Sequence, residues 1–141
     1  IPLSIGQLDP AATRADIERM VADRLLVACV MSKVAANRMA LALTEGLILN
    51  IAVLAKPALG TAQAFAGVVK AALAAMTRSQ AEEWALKSIR FNAIAPQAVP
   101  APAEPALGGE PDIAALALYL ASGRGKALSG HLFEAEPAKA R

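Results

Sequence analysis

From Thr13 onward, apolar residues recur at helical spacing. Ile17, Met20, Val21, Leu25 and Ala28 lie three or four positions apart, and the pattern runs to about Leu41. Residues so spaced share one face of an α-helix. Thr13 followed three residues later by Asp16 is a start signal, because both side chains can accept the N–H groups left unpaired in a helix's first turn. Gly46 breaks the pattern. Leu47-Ile48-Leu49-Asn50-Ile51-Ala52-Val53 is then a short, nearly continuous apolar run, as expected of a strand covered on both faces. Pro57 and Gly60 predict a loop. A long helix follows, from about Ala62 to Leu86, with Phe65, Val69, Leu73 (beside Ala72), Met76 and Trp84 inward and Arg78, Glu82 and Lys87 toward water.

Ile89-Arg90-Phe91-Asn92-Ala93-Ile94-Ala95 reads as a second strand, stopped by Pro96. Pro100, Pro102, Pro105 and Gly108 mark a loop. Glu110-Pro111-Asp112 opens a third helix, with proline in the first turn, where its missing N–H has no helical partner to lose. Ile113, Leu116 and Leu120 give that helix its apolar face, and Gly123 and Gly125 end it. Residues 130–135 form a third strand. Helices alternating with strands imply an α/β fold whose strands run parallel and are joined by helical crossovers. A sheet this narrow leaves backbone groups unpaired at an edge unless more chain or a partner covers it.

A chain of 141 residues is one ordinary domain, 1–141. Hydrophobic residues make up 56 %, but alanine fills 35 positions, so bulky core formers are fewer than that share suggests. The net charge of +2 lacks the clustered basic residues of a nucleic-acid surface. Cys29 is the single cysteine, which excludes a disulfide within the chain and reads as a small buried apolar residue. The longest uncharged apolar runs, 25–32 and 46–55, fall short of the roughly 20 residues that span a bilayer. His131, the only histidine, has no neighbours at metal-ligand spacing and reads as structural. A cytoplasmic protein without metal, membrane or nucleic-acid partner is the expectation.

Two blocks carry a family resemblance. Lys70-Ala-Ala-Leu-Ala-Ala-Met-Thr-Arg-Ser-Gln-Ala-Glu-Glu-Trp-Ala, followed by Ile89-Arg-Phe-Asn-Ala-Ile-Ala-Pro96, resembles the short-chain dehydrogenase/reductase family. Gly46-Leu-Ile-Leu-Asn-Ile-Ala resembles the strand before that family's catalytic serine. Glu110-Pro-Asp-Ile-Ala-Ala-Leu-Ala-Leu-Tyr-Leu-Ala-Ser122 resembles its penultimate helix, and Ser129-Gly130-His-Leu-Phe its last strand. Residues 1–9 read like the segment after its Asn-Asn-Ala-Gly turn. The resemblance therefore implies a partial Rossmann-like, doubly wound parallel sheet of about three strands with long packing helices, without the N-terminal dinucleotide-binding half.

The resemblance also implies chemistry: hydride transfer between NAD(P) and an alcohol or ketone. In the family a tyrosinate takes the hydroxyl proton, a lysine four residues later binds the nicotinamide ribose, and a serine positions the substrate oxygen. An asparagine one helix earlier holds a water. Mapped here, the lysine is Lys70, the tyrosine position is Ala66, the serine position Val53 and the asparagine position Arg24. Neither Ala nor Val can exchange a proton. Lys70 is thus the sole retained catalytic position, and Lys70, Pro96 and Val99 are the cofactor-contacting positions the resemblance carries over. Gly123-Arg-Gly-Lys, the nearest string to a Gly-rich phosphate turn, reads instead as a helix end.

The family pairs its subunits through the helices that correspond to about 22–42 and 62–86, and both patterns are intact. The leading expectation is a catalytically inactive subunit that forms a homo- or hetero-oligomer with a family member through those helices. The alternative is an active NAD(P)-dependent oxidoreductase represented without its N-terminal half, with Lys70 as base. A ligand-binding module without turnover is a third reading.

Overall fold

In a computed structural model of the chain, residues 1–5, 11–54, 60–96 and 110–135 are described. The elements run β1 (Pro2–Ile5), α1 (Arg14–Leu41), β2 (Gly46–Leu54), α2 (Thr61–Trp84), β3 (Ile89–Pro96), α3 (Glu110–Ala121) and β4 (Leu132–Ala135). Short 3-10 turns, Ala85–Lys87 and Gly123–Gly125, follow α2 and α3. All strands are parallel, in the order β1-β2-β3-β4. The three expected strands are present, and a fourth joins them: Pro2–Ile5, read from sequence as following a turn, pairs with β2 from Pro2 opposite Ile51 to Ile5 opposite Leu54. The fold is an α/β, partial Rossmann-like parallel sheet.

The start of α1 follows the sequence signal. Thr13 Oγ1 accepts from the Asp16 N–H at 3.3 Å, and the Thr13 N–H donates to the Asp16 carboxylate at 3.1 Å, a reciprocal capping box. The Thr13 hydroxyl also donates to that carboxylate at 2.6 Å. These bonds, from the Thr13 side chain first and its backbone second, hold Asp16 below the usual carboxylate range. Leu41 ends the helix as expected.

Alternation along the strands sorts the two sheet faces. Ile48, Asn50 and Ala52 of β2 and Ile89, Phe91, Ala93 and Ala95 of β3 are buried. Ala52, Ala93 and Ala95 pack with Ala28 of α1 and with Phe65, Ala66, Val69 and Leu73 of α2. Ile48, Ile89 and Phe91 pack with Ala36 and Ala81 toward the C-terminal ends of the same helices. Ile17, Met20, Val21 and Leu25 pack against the first of these clusters, so the predicted inward stripe of α1 is the observed one.

The opposite face carries Arg90, Asn92 and Ile94. Arg90 Nη1 donates at 2.7 Å to the carbonyls of both Leu120 and Gly125, tying β3 to the end of α3. A Cβ on Gly125 would lie 2.5 Å from the Leu120 Cα, so only glycine lets the chain turn this tightly beneath the guanidinium. The Gly123-Arg-Gly string is the helix end its sequence suggested.

Buried Asn92 serves the last strand. Its Nδ2 donates to the Leu128 carbonyl at 2.9 Å, and its Oδ1 accepts from the His131 N–H at 3.1 Å. His131 itself is exposed beside Phe133. Cys29 differs from expectation: it is half-buried, because it sits where α1 meets α2 and not against the sheet.

Candidate functional site

The family positions lie on β2, α2 and α1. Ala66, at the tyrosine position, is buried within the core cluster and offers no polar atom. Val53, at the serine position, is half-buried opposite Ser4 of β1. Arg24, at the asparagine position, is exposed on α1, where its charge meets water. Pro96 closes β3 opposite Ala135 of β4, and Val99 lies outside the described residues.

Lys70 stands one turn after Ala66 on α2. Its side chain is only 14 % exposed, and its ammonium forms a 2.8 Å ion pair with Glu134 of β4. Sequence reasoning missed Glu134 altogether. The Leu132 and Glu134 alternation places that carboxylate on the α2 side of the sheet, and this was the available signal. Lys70 therefore neither stands free nor trails along the surface; it ties the edge strand to α2.

A nicotinamide dinucleotide needs donors for its phosphates and a free cation or hydroxyl at its ribose. The described residues do not fit it by themselves. The one retained family cation is matched to an internal carboxylate, and Ala66 and Val53 add no donor.

At the other end of the sheet, before β2, β3 and β4 begin, lies an open cleft of about 680 Å³ lined by Arg78, Glu82, Arg90, Lys126 and His131, among others. Two of its cations are already engaged: Lys126 with Glu45 at 3.1 Å, and Arg90 with the carbonyls named above. Among the described residues no group of His, Cys, Asp or Glu could hold a metal ion, and no helix is long and apolar enough to cross a membrane.

A third feature is apolar. Leu26, Val27, Val30, Met31 and Val34 run along α1 on the side away from the sheet, each between 48 and 64 % exposed. On α2, exposed Val68 is flanked by exposed Ala64, Gly67, Ala71 and Ala75. Periodicity in the sequence located the buried stripe of α1 and not this second one, because residues 25–31 are apolar all round.

A parallel sheet with α1 and α2 on one face and α3 on the other defines the Rossmann-like class. Within that class the chain belongs to the short-chain dehydrogenase/reductase family: a family model described as enoyl-(acyl carrier protein) reductase matches residues 6–117. No curated protein matches the sequence. Among solved structures, a putative oxidoreductase from Escherichia coli K-12 is similar at 26 % identity and a TM-score of 0.69, over 92 % of this chain and 57 % of that one. A hydroxysteroid dehydrogenase from Escherichia coli aligns at 23 % identity and 0.68, over 96 % and 62 %. A 4-hydroxyisoleucine dehydrogenase complexed with NADH and succinate aligns at 22 % and 0.66, over 96 % and 67 %. The chain thus spans between 57 and 67 % of the length of these three neighbours.

Proposed function

We propose that chain 1–141 is a catalytically inactive subunit of the short-chain dehydrogenase/reductase family. It pairs through α1 and α2 with a second subunit, itself or a related NAD(P)-dependent alcohol or ketone oxidoreductase, and stabilises it in the cytoplasm. The observation that carries the reading is the exposed stripe Leu26, Val27, Val30, Met31 and Val34. Five large apolar side chains on one helix face are costly to leave in water, and such patches mark interaction surfaces. The small residues on the outer side of α2 support it, since they let a facing helix approach closely.

The catalytic side of the reading rests on residue chemistry. Proton transfer to or from a substrate oxygen requires an ionisable or hydroxylic group within hydrogen-bond reach. Ala66 and Val53 have none. Lys70 retains a positive charge, but Glu134 competes for it with anything a cofactor could offer. Bound NAD(P) would accept the hydride from an alcohol, or as NAD(P)H donate it to a ketone, and Lys70, Pro96 and Val99 remain the positions by which the family would meet it. Ala66 and Val53, at the family's proton-handling positions, cannot move the accompanying proton.

Co-expression with a full-length family member tests both halves. The reading expects a complex that survives gel filtration, a raised melting temperature for the partner, and no NADH oxidation by the chain alone. A chain that leaves the partner's size and stability unchanged contradicts the pairing. Ketone-dependent NADH oxidation by the chain alone contradicts the inactivity and favours an active oxidoreductase.

A further inference from the structure

Three buried side-chain atoms have no hydrogen-bond partner among the described residues: Asn50 Nδ2, Gln80 Oε1 and Trp84 Nε1. Their residues all lie where α1, α2 and β2 pack together. Asn50 Oδ1 accepts from Ser32 Oγ of α1 at 3.3 Å, and Gln80 Nε2 donates to the Cys29 carbonyl of the same helix at 3.4 Å. Cys29 and Ser32 are three residues apart, so they neighbour each other on one face of α1. Gln80 and Trp84 are four apart on α2 and neighbour each other likewise. Trp84 packs against the cluster containing Ala36 and Ile48, the residues one step along from Ser32 on α1 and from Asn50 on β2.

The chemical sense of the three atoms is complementary to a single small molecule. Two are donors and one is an acceptor. The Gln80 amide cannot be turned to change this, because its oxygen would then face the Cys29 carbonyl oxygen. Water accepts two hydrogen bonds and donates two, and buried waters typically make about three bonds to polar groups that otherwise lack partners. We propose that one buried water sits where α1, α2 and β2 meet, accepting from Asn50 Nδ2 and Trp84 Nε1 and donating to Gln80 Oε1. Its remaining hydrogen has Ser32 Oγ as an acceptor. This water cross-links the two long helices through the sheet and fixes their relative placement. The water belongs to the fold alone, whether or not the outer helix face pairs with a partner.

Trp84 is the only tryptophan, so the ¹⁵N-labelled full chain has one indole N–H resonance. Water-selective NOE and ROE spectra read it directly. The expected result is an indole–water cross-peak of opposite sign in the two experiments, as a long-lived bound water gives. That peak should be lost in Gln80→Leu while the amide spectrum stays dispersed. Asn50→Leu supplies the same test should Gln80→Leu fail to fold. A folded native chain without the cross-peak overturns the proposal, as does a cross-peak that persists unchanged in a folded variant.

Discussion

Two faces of the helix α2 have diverged. Toward the sheet it carries Phe65, Ala66, Val69 and Leu73 in a close-packed row, with Lys70 within that stretch ion-paired to β4. Away from the sheet it shows Ala64, Gly67, Val68 and Ala71, beside the bare apolar stripe of α1. On the first face these apolar side chains are covered and Lys70 is matched. The second face is incomplete, for it leaves large apolar groups in water without internal cover. Under the proposed reading, packing stands on one side where the family's reactive groups would be, and the bare surface on the other is where a second subunit associates.

Substitutions on the two faces should behave differently. The largest effect belongs to the inner face: Leu73, fully buried, cut to alanine should destabilise the chain by about 3 kcal/mol in urea unfolding, regardless of protein concentration. On the outer face, Val30→Glu should leave monomer stability nearly unchanged. It should weaken association about 100-fold, as burying one unpaired charge at an interface does. If Val30→Glu unfolds the chain instead, the two faces are not distinct in the way described.

Arg90 sharpens the contrast between structural and reactive cations. Arg90→Met removes two charge-assisted bonds to carbonyls and should cost about 2 kcal/mol. The Lys70–Glu134 pair is partly exposed, so its coupling should be smaller, about 1 kcal/mol in a double-mutant cycle of Lys70→Met and Glu134→Gln. A coupling of zero would mean the lysine is not committed to β4. The smallest effect is at the α1 cap. Asp16 has a lowered carboxyl pKa, so its stabilisation is complete above the ordinary carboxylate range and declines as pH falls through the lowered folded value. Acid titration of Asp16→Asn against the native chain should show the difference at mildly acidic pH vanish in stronger acid.

Much of this fold was legible because its signals are local. The Thr13–Asp16 box, the glycines after α3 and the apolar runs of β2 and β3 each act within a few residues. β1 was not legible: four residues beginning with a proline carry no periodicity, and only pairing with the distant β2 makes them a strand. The sequence reading of the site rested on residue identity alone. Sequence located Ala66, Val53 and Lys70, but the partner of Lys70 lies on another strand, and no spacing rule connects a helix lysine to Glu134. The outer stripe of α1 was hidden for the opposite reason, since an all-round apolar segment gives periodicity nothing to separate.

Sedimentation equilibrium over a range of micromolar concentrations, with the chain alone and then mixed with a full-length family member, tests the central claim most directly. The account predicts a species of about twice the 14.5 kDa chain mass, or a mixed complex with the family member, and conversion to monomer in Val30→Glu. A single 14.5 kDa species at every concentration and in the mixture would contradict it.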